Sequence, residues 1–233
     1  MPPSLQHVVH ACASALSAAG AGFAMTRGGG VWEPLFSSGP AATELDELQF
    51  TLGEGPSAEA VTSGAPILEP DLSGTGADRR WPVFAAGATE RGIGAAFAFP
   101  VGFGAAQVGV LTVYRHERGA LPAELLQDAL VYADALLVLT LDHRSGIVTD
   151  ADQLIEATFS ARRAKVHQAV GVVAAQLAVS ITDAFARLRA HAYSSGQSLQ
   201  TVAADVMAGR LRLEADTKET GSQHAELEQE DDS

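Results

Sequence analysis

The sequence predicts an α+β domain on a largely antiparallel sheet, followed by an all-α bundle. Three observations lead there. Up to Arg115 short apolar segments are separated by helical signals and close with a hairpin, whereas from Leu121 every periodic segment is helical. Charge divides near the same place. Residues 1–150 carry 7 Lys+Arg against 16 Asp+Glu, residues 151–213 carry 7 against 4, and residues 214–233 carry 1 against 8. The three nets, −9, +3 and −7, leave one basic segment between two acidic blocks in a 233-residue chain of net charge −13. Any polyanionic partner is therefore expected at the basic segment alone.

The first helix is predicted over Leu5 to Ala19, with Leu5, Val8, Val9, Cys12 and Leu16 on one face and Gly20 to end it. Ala21 to Thr26 and Val31 to Ser37 read as strands joined across Gly28, Gly29 and Gly30, residues that tolerate positive φ. A helix over Ala41 to Leu48 precedes the loop Gly53-Glu54-Gly55-Pro56-Ser57. A short helix then starts near Pro56 and stops at Gly64. Ala65 to Pro70 is an apolar strand, and Arg80 to Arg91 a helix with Trp81, Phe84 and Ala88 on one face. Ile93 to Val101 and Gln107 to Arg115 form the closing hairpin across Gly102 to Ala106, with side chains alternating at period two.

Leu121-Pro122 opens a helix that runs to about Asp142, and Arg144-Ser145-Gly146 interrupts it. A second long helix starts near Thr149 or Asp150. Its heptad-like stripe, Ile155, Phe159, Arg162, Val166, Val170, Val173 and Leu177, fits either its own bundle or a coiled-coil dimer. Ser180 and Ser198 are placed to cap two further helices, and Gly196 and Gly209 to close them. From Glu214 the composition is polar and acidic, with one Leu and no aromatic residue, which predicts disorder. Three segments result: 5–144, 150–213 and a tail of 214–233.

Several function classes drop out. The lone Cys12 allows neither an intramolecular disulfide nor a cysteine zinc site. No signal-peptide pattern opens the chain, and the apolar run Ala129 to Leu141 is too short for a bilayer and contains Asp134, so a cytoplasmic protein without a membrane segment is expected. His7, His10, His116 and His143 lack partners at metal-ligand spacing, Ser57 lies outside a Gly-x-Ser-x-Gly turn, and Gly102-x-Gly104 lies in a hairpin. Neither catalytic residues nor a metal nor a cofactor is expected.

The order of elements, with Gly53-Glu54-Gly55-Pro56, Gly64-Ala65-Pro66-Ile67, Asp71-Leu72, Arg80-Trp81-Pro82-Val83-Phe84, Phe99-Pro100-Val101 and Val108-Gly109-Val110-Leu111, resembles a GAF domain over residues 5 to 144. The resemblance implies a sensory module with a small-molecule pocket. Trp32, Trp81, Phe97, Phe99 and Tyr114 are candidates to line it, although core packing is the simpler role for each. Many relatives carry Cys after Gly-Glu-Gly-Pro; here Ser57 removes thiol chemistry. The Asn-Lys-Phe-Asp-Glu-type signature of cyclic-nucleotide-binding members is missing.

The run Gln168-Ala169-Val170-Gly171-Val172-Val173, then Ala184 through Ala192, then Leu199-Gln200-Thr201-Val202-Ala203, resembles an ANTAR domain. The resemblance implies a three-helix bundle on a helical stem. Such a bundle binds paired RNA hairpins with hexanucleotide loops, prevents a terminator from forming and acts as a homodimer. The motif together with the concentration of basic residues makes Arg162, Arg163, Lys165, Gln168, Ala169, Gly171, Arg187, Arg189, His191 and Arg210 the candidate RNA contacts. Gln168, Arg189, His191 and Tyr193 suit looped-out bases, and the remaining cations suit phosphates. Gly171 admits either close helix packing or close approach of RNA. Val170 stands where family members often have Lys. Arg189, next to a core-facing Leu188, is expected to hold its head in solvent or on RNA. Two alternatives remain: a ligand-binding GAF protein whose helical end only dimerises, and a DNA-binding helix-turn-helix factor, disfavoured by the low basic charge.

Overall fold

The computed structural model describes residues 4–26, 32–104, 106–144 and 150–213, and helix side chains at 143–144 and 150–163 are not among them. The glycine turn at 28–30, the interruption at 145–146, the side chains of Arg162 and Arg163, and the acidic tail all lie outside the described residues.

Helix α1 (Leu5–Ala15) is capped by Ser4, whose Oγ accepts from His7 N, and it buries Leu5, Val8, Val9 and Cys12. It ends four residues before the expected stop. Ala19 N already donates to the Tyr114 carbonyl at 2.8 Å, so sheet pairing takes over the backbone before Gly20. Gly20 instead opens strand β1 (Gly20–Thr26), where a Cβ would sit 2.8 Å from that of Ala42. Strand β2 (Trp32–Ser37) pairs with it. Helix α2 (Pro40–Leu52) runs four residues beyond expectation and stops on Gly53 at φ 69°. Helix α3 (Pro56–Ser63) and strand β3 (Ile67–Glu69) follow as the sequence implied.

The single helix expected over Arg80 to Arg91 is two, α4 (Thr75–Arg80) and α5 (Pro82–Glu90). The pyrrolidine ring of Pro82 drives the preceding residue out of the α region, and Trp81 sits at φ −142°, ψ 65°. The break aims the Trp81 ring into the core, with its Nε1 donating to Glu59 Oε2 at 3.1 Å. Strands β4 (Ala95–Phe103) and β5 (Ala106–Arg115) close the domain, and helix α6 (Ala123–Arg144) packs back over the sheet.

All pairings are antiparallel, in the order β2-β1-β5-β4-β3. Both faces are covered. Phe23, Phe97, Phe99, Leu111 and Val113 join α1 and α6 on one side, while Ala24, Ala96, Ala98, Val110 and Tyr114 join α2 to α5 on the other. Because both faces are buried, the period-two pattern separates two cores rather than core from solvent.

The chain then forms helices α7 (Asp150–Leu177), α8 (Ile181–Ser194) and α9 (Leu199–Met207) around a third core. In the described part of α7, the stripe Val166, Ala169, Val170 and Val173 packs into this bundle. Among the described residues no single helix is long and apolar enough to cross a membrane.

Candidate functional site

The bundle of α7 to α9 is built by the local grammar read from sequence. Ser180 Oγ accepts from Asp183 N at 3.1 Å and Ser198 Oγ from Thr201 N at 3.2 Å, while Gly196 and Gly209 take φ of 63° and 69°. These caps hold Ala184, Leu188 and Ala192 of α8 and Leu199, Val202, Ala203 and Val206 of α9 against α7.

The expected RNA contacts fall into distinct groups. Lys165 and Gln168 are exposed on α7, one turn apart. Gly171 lies one further turn along, and a Cβ there would meet nothing within 4 Å. Among the described residues no other helix packs against Gly171, and open space stands over its backbone. Ala169 is fully buried, so its side chain faces the bundle core rather than solvent, against the expectation of an exposed contact. Val170, 3% exposed, faces the same core, where an apolar side chain is favoured. His191 and Arg187 are half-buried. Arg210 is exposed but pairs with Asp205 at 2.6 Å.

Arg189 departs most from expectation. Its Nε donates to the Thr51 carbonyl at 2.9 Å, 138 positions away in sequence, at the C-terminal end of α2. The guanidinium lies against Gly53, where any Cβ would overlap it, and 5.3 Å from the centroid of the Phe185 ring. Phe185 packs on Phe50 at 6.0 Å, and Phe50 meets the edge of Trp32 at 5.8 Å. Phe50 thus touches both the sheet domain's core and the bundle's. A cation at a helix C-terminus is favoured by the helix dipole, and partial burial pulls the Arg189 pKa down without discharging so basic a group.

The aromatic set proposed for the sensory pocket does not converge. Phe97 and Phe99 point to the α1/α6 face, whereas Tyr114, which pairs with Ala96 rather than Phe97, lies on the opposite one with Trp32 and with Trp81 of the α4/α5 junction. What fills the α2/α3 side is a buried polar chain. Tyr114 Oη donates to Asp46 Oδ1 at 2.5 Å, Ser37 Oγ donates to Asp46 Oδ2 at 2.6 Å, and Gln49 Nε2 donates to Tyr114 Oη at 2.7 Å. Gln49 Oε1 accepts from Ser57 N at 2.7 Å, and Ser57 Oγ shares a hydrogen bond with Thr112 Oγ1 at 2.6 Å. Burial pushes the Asp46 carboxyl up to about 7, against a smaller pull downward from its two hydroxyl donors. Gly22 lies beneath it, where a Cβ would overlap the carboxylate. The Gly-Glu-Gly-Pro loop is part of this framework: Glu54 Oε1 accepts from Val83 N and Phe84 N, capping α5.

A cleft of about 490 Å³ opens beside β2, lined among others by Glu33, Ser37, Thr43, Glu47, Phe50 and, from α9, Gln200. Sequence reading missed Asp46, Gln49 and Phe50. Buried Asp and Gln in an otherwise polar helix look like solvent-facing residues, and Tyr114, the partner they share, lies 68 and 65 positions away. Among the described residues no group of three or more His, Cys, Asp or Glu is placed to hold a metal ion.

Residues 4–130 match the family model of the GAF domain, and residues 159–207 match that of the ANTAR domain. No curated protein matches the chain. Solved structures similar to it include the GAF domain of an Acinetobacter phosphoenolpyruvate-protein phosphotransferase, at 14% identity and TM-score 0.48, over 62% of this chain and 84% of that one. The corresponding domain from Coxiella burnetii gives 18% and 0.48, over 63% and 88%. A domain of a Sinorhizobium meliloti sensor histidine kinase protein gives 15% and 0.47, over 60% and 90%. With more than half of its length matched by the first family model, the five-stranded antiparallel sheet between two helical layers, and the second model falling on the helical bundle, the chain belongs to the GAF domain family and has the architecture of a GAF-ANTAR regulator.

Proposed function

We propose that the protein is a cytoplasmic transcription antitermination regulator, not an enzyme, whose α7 to α9 bundle binds paired RNA hairpins under control of the GAF domain. The observation that carries this reading is the ANTAR match over the one basic segment of an acidic chain. The exposed Lys165 and Gln168 and the open backbone at Gly171 supply a phosphate contact, a base-edge contact and room for close approach. Arg162 and Arg163 precede Lys165 by three and two positions in the sequence and add to the positive charge of the segment.

The test is retention of a two-hairpin RNA over duplex DNA by the purified chain, repeated across salt concentrations. With about three to five phosphates neutralised, log K falls against log salt with a slope of roughly −2 to −4. A binding constant indifferent to salt, or equal retention of DNA, would refute the reading.

A small molecule of unknown identity is the expected GAF ligand. The cleft shared by β2, α2 and α9 is the best-placed site, since an occupant there touches both domains through Phe50 and Gln200. A homodimer is also expected. The outer face of α6 offers Val131, Val138 and Leu141, with 65%, 57% and 49% of their surfaces exposed at helical spacing, which suits association with a second copy. Val138→Glu should shift sedimentation from dimer to monomer without altering the melting temperature of dilute protein. An unchanged sedimentation coefficient would place the dimer contact elsewhere.

A further inference from the structure

We infer that the α8 face bearing Phe185 and Arg189 is shared: the end of α2 occupies it in the structure, a closed form, and RNA takes it in an open form in which α2 has left. The inference rests on the RNA-binding reading and adds how that binding is restrained. Arg189 is well suited to a looped-out base, having a planar fork of donors beside an aromatic ring, yet here its Nε is held by the Thr51 carbonyl. The contact is built from both sides. Gly53 carries no side chain where the guanidinium rests, and α2 ends there with the Thr51 carbonyl accepting from the cation. Phe50 fills the space between Trp32 and Phe185.

This contact connects to the sensory core along a single helix. Asp46 and Gln49, which anchor α2 to Tyr114 and Ser57, stand within about one and a half turns of Phe50 and Thr51. A ligand or proton that moves α2 therefore moves the Arg189 acceptor and the Phe50 ring together. RNA and the end of α2 compete for the same side chains, so the two equilibria are linked and each weakens the other by the same factor.

The test uses the full chain and alters only the sensory side. Gly53→Asn keeps a residue that accepts positive φ but places a Cβ in the guanidinium. Phe50→Ala removes the interdomain ring. Amide exchange along α8 reports undocking, and binding of a synthetic two-hairpin RNA reports access. If the closed form holds about nine molecules in ten, release raises apparent RNA affinity about ten-fold in whichever variant loses α8 protection. RNA added to the unaltered chain should in turn speed exchange at Thr51 to Gly53.

Equal RNA affinity in an undocked variant and the parent would overturn the shared face. Protection of α8 unchanged in both variants would overturn the contact as what holds the domains together. Binding of RNA by neither parent nor undocked variants would instead remove the RNA-binding reading itself.

Discussion

Replacing Asp46 by Asn should remove a pH dependence of stability worth on the order of 4 kcal/mol at its upper limit. The Asp46 carboxyl titrates near 3.8 when unfolded and at about 7 when buried in the fold, chiefly because burial disfavours its charge. The folded state therefore holds a proton that the unfolded state has released throughout the window between these values. Stability is highest below about pH 4 as far as this group is concerned, falls as pH rises towards 7, and is level above it. Neutral Asp46 remains satisfied, since the Ser37 hydroxyl can accept as well as donate. Asn has no proton to lose, so urea midpoints of the variant measured from pH 5 to pH 8 should lack the decline the parent shows. Parallel slopes for the two proteins would mean that Asp46 is already ionised in the fold.

Leu188→Ala should separate the melting of the two domains. Leu188 is fully enclosed between α7, α8 and α9, and truncating a buried Leu to Ala typically costs about 2–5 kcal/mol. The bundle has its own core, joined to the sheet domain by the α2 to α8 contact. Loss of that magnitude should lower an α-helical transition well below the one that reports the sheet, visible by calorimetry as two peaks. RNA binding should vanish with it although Leu188 is buried away from any ligand. A single unshifted transition would show that the bundle draws its stability from elsewhere.

The legible parts of the fold were those written in nearest-neighbour chemistry. Ser180, Ser198, Gly64, Gly196 and Gly209 mark helix ends through bonds and dihedrals that involve residues within a few positions, and each stands where its local signal implies. The misreadings came where a distant partner overrode local preference. α1 ends early because Ala19 pairs with Tyr114, and α2 extends to Gly53 because Gln49 and Phe50 have partners far along the chain. The break at Trp81 was written locally in Pro82, but the apolar spacing of Trp81, Phe84 and Ala88 outweighed it in the reading.

The candidate site divides along the same line. Charge segregation, the Gly171 motif and the capped helices identify the bundle from sequence because composition and short spacing carry that information. Whether a given cation is available is a different matter. Arg187, Arg189 and Arg210 look alike in a list of basic residues, yet Arg189 reaches Thr51 across 138 positions while Arg210 pairs with Asp205 in its own helical corner.

By itself, then, the sequence determined the two-domain order, the element types and the basic segment, since these follow from periodicity, caps and charge counted along the chain. The tertiary structure alone decided that Phe97 and Tyr114 face different cores, that Asp46 is buried among hydroxyls, and that Arg189 lies on the end of α2. Those outcomes depend on which distant surfaces exclude water from one another, and that contact energy leaves no periodic trace in either segment alone.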